Sequence, residues 1–270
     1  MPRLFSLLIV LVIYFSPVQA QISSEQFLIH YSGTPMGSAA NAADFAHARV
    51  KIQGQVLYEN RYLLKALAVK SIAFGGVWGF KSWNAAYRQQ GTFHYQSHQF
   101  RLNYSTRLHP QFRMGANLYL RCVQQSNSED NKWLAYPELG FQYTVDEVNK
   151  IFSGVEYVPS KTISHYAAAI YYERKLEERL LLVAGVSSSR NQTFFGSLAL
   201  RLIPHINHVF SLELNNGHQP VYFNYRYRIN KIQLHFGFWY HNQLPVSNQL
   251  SVNYHFLEDP SVKTKNSAQQ

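Results

Sequence analysis

The chain has 270 residues, long enough for one large all-β domain or two small ones, and carries a formal net charge of +10. Only 15% of residues are charged, against about 25% in an ordinary soluble domain, while aromatics reach 15% with 19 Tyr and 18 Phe. The basic residues are scattered singly rather than gathered in a block or a basic helix, which excludes a nucleic-acid-binding surface, and the single cysteine, Cys122, excludes an intramolecular disulfide framework.

Residues 1–20 read as a secretory signal peptide. Arg3 supplies the positive start, Leu4 to Phe15 the apolar stretch, and Val18-Gln19-Ala20 the small-residue cleavage pattern, so the mature chain is expected to begin after Ala20. Beyond Val12 no apolar run is long enough to form a membrane-spanning helix. Residues 21–47 differ from all that follows. Ser38 to Ala46 is alanine-rich and free of β-branched residues, which favours a short helix, and Gly33, Pro35 and Gly37 mark turns before it. This segment is expected either to plug a barrel lumen or to form a loose arm.

From residue 48 to 257 short strands succeed one another. Expected runs are Arg49 to Tyr58, Leu64 to Ala73, Val77 to Tyr87, Gly91 to Thr106 and Phe112 to Val123, with His109-Pro110 marking one turn. After a polar break at Ser126 to Lys132 come Leu134 to Val145, Lys150 to Val158, His165 to Glu173, Arg179 to Ser188, Thr193 to Ile203 and His208 to Asn215. Three further strands show period-two alternation most plainly. Val221, Phe223, Tyr225, Tyr227 and Ile229 oppose Tyr222, Asn224, Arg226 and Arg228. After Asn230-Lys231 the parity switches, placing Ile232, Leu234, Phe236, Phe238 and Tyr240 opposite Gln233, His235, Gly237 and His241. A last run sets Val246, Leu250, Val252, Tyr254 and Phe256 against Ser247, Gln249, Ser251, Asn253 and His255, and residues 258–270 form a polar tail.

Strands of about ten residues joined by very short turns have the length needed to cross a bilayer at a tilt of about 45°. A packed sandwich could also hide their apolar faces. With few charges, many aromatics and no spanning helix, the expected fold is all-β: an antiparallel transmembrane β-barrel of about 12 to 14 strands with a short N-terminal plug. The opposite face then becomes a polar interior. Parity places Arg101, Arg113, Arg121, Arg201, Glu213, Arg226, Arg228 and His235 on it. These residues are expected either to give an open lumen a positive potential or to form a network that holds the barrel rigid.

Gly33-Thr34-Pro35-Met36-Gly37-Ser38-Ala39-Ala40, Phe152 to Ser160, and the closing pair Phe236-Gly237-Phe238-Trp239 and Leu244 to Phe256 carry a family resemblance. The order of these motifs resembles the outer-membrane barrels of Bacteroidetes related to the FadL-type hydrophobic-compound channels and to the PorV and PorQ proteins of the type IX secretion system. The Asn-Pro-Ala-Gly motif usual after the opening segment is missing, and Phe256 is followed by the tail rather than ending the chain. The resemblance implies a barrel, a membrane and no catalytic residue.

Other chemistry finds little support. Gly75 to Ser82 approaches a phosphate loop, but Phe80 stands where the glycine before the lysine belongs. No His-Glu-x-x-His occurs and the twelve histidines are dispersed, so neither a metal nor another cofactor is expected. Ser251, Asn253 and His255 share a strand face, as do His30 and Ser32, without any oxyanion device. Cys122 falls with Met114, Ala116, Leu118 and Leu120, and reads as a small hydrophobe. The expected function is non-enzymatic: a channel for small or hydrophobic solutes, or an envelope or secretion assembly component. Its partners would be outer-membrane lipid and possible envelope or secretion-machinery proteins, and its location the outer membrane of a Gram-negative bacterium. A lipid-modifying membrane enzyme and a soluble secreted β-sandwich are the competing readings.

Overall fold

The computed structural model describes residues 50–64, 67–92, 95–125, 132–159, 165–189, 192–205, 207–216, 221–240 and 245–258. The expected leader 1–20, the plug segment 21–47 and all but the first residue of the tail 258–270 lie outside them.

Period-two patterning gives fourteen strands. They are β1 (Val50–Asn60), β2 (Val69–Trp78), β3 (Lys81–Thr92), β4 (Tyr95–His109), β5 (Phe112–Gln125), β6 (Lys132–Thr144) and β7 (Asn149–Val158). The second half comprises β8 (His165–Glu177), β9 (Leu180–Ser189), β10 (Gln192–His205), β11 (His208–Asn215), β12 (Val221–Ile229), β13 (Ile232–Tyr240) and β14 (Ser247–Glu258). Each strand pairs antiparallel with its sequence neighbours, and β1 pairs with β14, so the sheet closes on itself with no free edge. The fold is the expected all-β barrel, at the upper end of the expected strand number.

The connections divide by end. On the side where β1 begins and β14 ends, hairpins turn in a few residues at 79–80, 110–111, 145–148, 178–179, 206–207 and 230–231. The opposite end carries longer spans at 61–68, 126–131, 159–164, 216–220 and 241–246, besides two short ones at 93–94 and 190–191. Asn230 supplies the positive φ, 51°, that its two-residue hairpin needs, and Gly79 does the same at φ 60°. In the 145–148 turn the Asp146 carboxylate accepts from the Asn149 side chain and from the backbone N–H groups of Val148 and Asn149. These donors, the Asn149 side chain foremost, hold its pKa below the usual carboxylate value. The cap therefore persists down to acid pH and is lost as pH falls through that lowered value.

The first strands depart from the expected boundaries. The strand expected from Leu64 begins only at Val69, after a short 3-10 turn at Arg61–Leu63. The strand expected over Val77 to Tyr87 is two strands, because Gly79-Phe80 turns the chain between them. An aromatic at a turn tip masks the break: Phe80 stays exposed, with the Arg107 guanidinium 4.5 Å from its ring centroid. Gly91, expected to open a strand, instead ends β3 with φ 100°, where a Cβ would overlap the Tyr95 carbonyl oxygen. Gly91→Ala is therefore expected to destabilise the barrel by about 1–3 kcal/mol, measured as a shift in its urea unfolding midpoint in vesicles.

At the closing seam Gly54 on β1 leaves a gap on the outer wall that aromatic rings fill. The Phe256 ring would lie 3.2 Å from a Cβ at Gly54, and Phe74 sits 6.0 Å from Phe256 edge-on. Phe74 continues the cluster to Trp83, at 5.6 Å.

The outer face is apolar along its whole girth. Midway along the strands it presents Ile72, Leu102, Leu118, Leu139, Ile170 and Leu200, with Leu102 60% exposed. Toward the long-loop end it presents Tyr58, Trp133, Tyr157, Tyr166 and Tyr240; toward the short-turn end, Trp78, Trp83, Tyr143, Tyr172, Tyr254 and Phe256. Aliphatic residues thus form a central band between two aromatic rims. Cys122 belongs to this face and is buried beside its cross-strand partners His98 and Trp133, a free thiol acting as a small apolar filler.

Candidate functional site in the polar interior

Alternation sends every second side chain inward. Arg101, Arg201, Glu213 and His235 are buried there, and Arg113, Arg121, Arg226 and Arg228 are half-buried on the same face. Arg101 donates to Asn84 Oδ1 at 3.0 Å, Arg121 Nε to Ser97 Oγ at 2.9 Å, and Arg228 Nε to the Asn230 carbonyl at 3.0 Å. The cations sit on several walls: β4 and β5 carry three of these arginines, while β10 and β12 carry the others.

Strand-by-strand parity missed most of the acids. Glu138, Glu156 and Glu173 stand on the inner face of three consecutive strands, β6 to β8, and are buried. Glu59 joins Arg61 at 2.7 Å and Arg88 at 3.8 Å near the long-loop end, and Lys150 meets Glu173 at 2.9 Å. The interior is therefore mixed in sign, with acids on β6 to β8 and arginines on β4, β5, β10 and β12. The signal was present: Glu138, Glu156 and Glu173 each alternate with an apolar residue that is exposed.

Glu138 is the centre of a hydrogen-bonded chain. Its Oε2 accepts from Asn117 Nδ2 at 2.8 Å and from the Tyr119 hydroxyl at 2.7 Å. Asn103 Nδ2 donates to Asn117 Oδ1 at 2.8 Å, linking β4, β5 and β6. Tyr119 stacks on Tyr136 at 4.8 Å, and Gln99 donates to the Tyr136 hydroxyl at 2.6 Å. Further along the wall Ser82 and Ser105 share a 2.5 Å hydrogen bond.

Part of the interior is apolar. Phe152, Ala169, Tyr171 and Val183 pack together on β7 to β9 with Ala199 beside them. The Tyr171 ring lies so close over Gly185 that a Cβ there would overlap it. Tyr222 stacks on Trp239 at 4.7 Å in the same manner, close over Gly237.

The Ser251, Asn253 and His255 set lies on this inner face. Ser251 Oγ accepts from Gln55 Nε2 at 3.4 Å. Ser251 and His255 are four residues apart on one extended strand, about 13 Å, which is beyond hydrogen-bonding reach for a nucleophile and its base. The glycine-rich stretch Gly75 to Ser82 forms a strand, a turn and a strand rather than a loop feeding a helix. Among the described residues no three His, Cys, Asp or Glu side chains gather to hold a metal ion.

No protein-family profile matches the sequence, and no curated protein matches it either. Among solved structures, the fold is similar to the toluene transporter TbuX of Ralstonia pickettii, with a TM-score of 0.60 and 7% identity over 80% of this chain and 92% of that one. It is similar to the toluene transporter TodX of P. putida, at 0.59 and 8% over 82% and 94%. It is also similar to the CymD monoaromatic hydrocarbon channel, at 0.57 and 8% over 81% and 92%. At such identities the likeness is one of fold: a closed antiparallel barrel of the architecture used by these channels.

Proposed function

We propose that this chain is a non-enzymatic β-barrel of the outer membrane of a Gram-negative bacterium, reached after cleavage near Ala20, and that small organic solutes pass through its interior. The observation that carries the membrane reading is the outer wall, where an exposed aliphatic band lies between two aromatic rims on a closed barrel. Water would not tolerate an exposed apolar surface of that extent, whereas a bilayer demands it and places Tyr and Trp at its two interfaces. Closure satisfies the strand N–H and C=O groups inside the hydrocarbon. The similar structures that are described as toluene transporters and as a monoaromatic hydrocarbon channel support passage of a small organic molecule.

A second reading follows from the interior itself. Buried, hydrogen-bonded side chains such as Asn84, Arg101, Asn117 and Glu138 bridge neighbouring strands across the inner wall. That arrangement suits a closed barrel acting as an envelope or secretion assembly component. Conductance in planar bilayers decides between the two.

On the channel reading, purified protein conducts, with a preference for anions that falls as salt screens the inner charges. The Arg226→Gln/Arg228→Gln double variant reduces that preference. Removal of residues 21–47 raises conductance if that segment plugs the barrel. A folded deletion variant that conducts nothing would instead favour the assembly role.

A further inference from the structure

Strands β2 to β5 and the turns between them contain no Asp or Glu, whereas Lys81, Arg107 and Arg113 come together at their short-turn end. Arg107 and Arg113 are direct cross-strand partners, and like charges so placed repel. The Phe80 carbonyl accepts from the Arg107 backbone N–H at 2.9 Å, which ties the β2–β3 tip to β4. That tip also holds the Arg107 guanidinium over one face of the Phe80 ring. Hairpins further round this rim differ: 145–148 carries Asp146 and Glu147, and 178–179 carries Glu178.

The same corner is the most exposed apolar point of the wall. Among the described residues no large apolar side chain is more exposed than Trp78 at 85%, Phe80 at 65% and Leu108 at 61%. Leu108 is the residue that the β4–β5 ladder skips, a bulge at the tip of its hairpin. Trp78 pairs with Lys81 across β2 and β3, and Lys81 with Thr106 across β3 and β4. These three stand in one row on the outer wall, about 4.8 Å from strand to strand, while their inward neighbours Ser82 and Ser105 are buried.

We propose that Trp78, Phe80, Lys81, Thr106, Arg107 and Leu108 bind one anionic glycerophospholipid of the leaflet that surrounds the short-turn end. The three apolar side chains sink the tip into the interface, so the lipid phosphate falls level with the Arg107 guanidinium. Lys81 reaches the same phosphate by extending its stem along the wall, and the two cations donate to it together. The Thr106 hydroxyl donates to the glycerol ester region, and the acyl chains run along Trp78 and the apolar wall. A zwitterionic headgroup would bring an ammonium that finds no carboxylate on β2 to β5 and meets Arg113 instead, so a headgroup of net negative charge is selected. The proposal rests on the membrane reading above, with the short turns on the periplasmic side, where barrels of this kind place them.

The test uses the full mature chain folded in micelles of a nonionic detergent, its fold verified by gel mobility before and after heating. Phosphatidylglycerol or phosphatidylcholine with the same acyl chains is added, and the lipid-bound fraction is read by native mass spectrometry. Phosphatidylglycerol is expected to give one saturable adduct, about tenfold tighter than phosphatidylcholine. Lys81→Gln/Arg107→Gln brings the two lipids within about twofold, whereas Arg174→Gln, which removes a rim cation on β8, leaves the preference unchanged. Should the double variant fail to fold, Lys81→Gln alters an exposed side chain alone and is expected to lower the preference about threefold.

Equal affinity for the two lipids, or a preference untouched by the Lys81 and Arg107 substitutions, would overturn the proposal. The membrane reading would survive either result, because the heat-dependent gel shift tests it separately; absence of that shift would overturn the reading and the lipid site together. Displacement of phosphatidylglycerol by glycerol 3-phosphate at equal concentration would assign the corner to a free phosphate, and displacement by a polyglutamate peptide would assign it to an acidic protein. Both results would overturn the lipid as its occupant.

Discussion

Arginine in place of Phe236 is expected to cost roughly 2–4 kcal/mol of folding free energy in vesicles, the penalty for a cation on the lipid face near the bilayer midplane. Phe236 is the central residue of β13, 38% exposed on the outer wall, with Tyr225 and Leu250 as its cross-strand partners. In the proposed membrane, the guanidinium must snorkel past Tyr225 and Leu250 or drag water into the hydrocarbon. Arginine at Gln233, half-buried on the inner face of the same strand and near the short-turn end, meets no hydrocarbon and is expected to cost much less. Urea titrations of the two variants, refolded into phosphocholine vesicles, measure the contrast. Equal cost at both positions would mean that the outer wall does not face lipid.

Glu138→Ala carries the next largest expected effect, about 2–6 kcal/mol. Two donors, the buried Asn117 amide and the half-buried Tyr119 hydroxyl, lose their acceptor together, the amide keeping only its longer 3.3 Å bond to Tyr119, and each lost charged acceptor costs about 1–3 kcal/mol. Glu138 is 4% exposed, which limits replacement of those bonds by water. Glu138→Gln keeps an oxygen in place to accept from one of the donors and is expected to lose less than half as much. The double variant Glu138→Ala/Asn117→Ala separates loss of the acceptor from loss of packing. Removing the stranded amide should recover part of the penalty, and a strictly additive result would mean that the two side chains do not act as a unit.

The sequence carried the barrel most clearly where alternation is cleanest. In β12 to β14 nearly every inward Arg, His, Ser or Asn is bracketed by outward Phe, Tyr, Leu, Ile or Val, Ser247 beside Asn248 being an exception, and Asn230-Lys231 reverses the parity at the hairpin. Parity failed at β2 and β3, because Phe80 occupies a turn tip and Gly75-Gly76 carries no side chain to mark a face. The interior was legible as a face but not as a site. Alternation places Arg113 and Gln142 inward, whereas their adjacency depends on the register of β5 against β6. Likewise Gly115, Gly140 and Gly154 lie far apart in sequence, and only the ladder brings them into one row. Glu138 and Glu156 complete the same point: each is the single acid of its strand, and the pairing of β6 with β7 makes them cross-strand partners.

The central claim, a closed barrel embedded in the outer membrane, is tested most directly by fractionating cells that express the full chain and running the outer-membrane fraction on gels without heating. The protein is expected to sediment with outer membranes and to migrate as a fast, compact band that slows after boiling to the position of the unfolded mature chain, below the 31.3 kDa of the full sequence. A soluble periplasmic monomer with the same mobility before and after heating would contradict it.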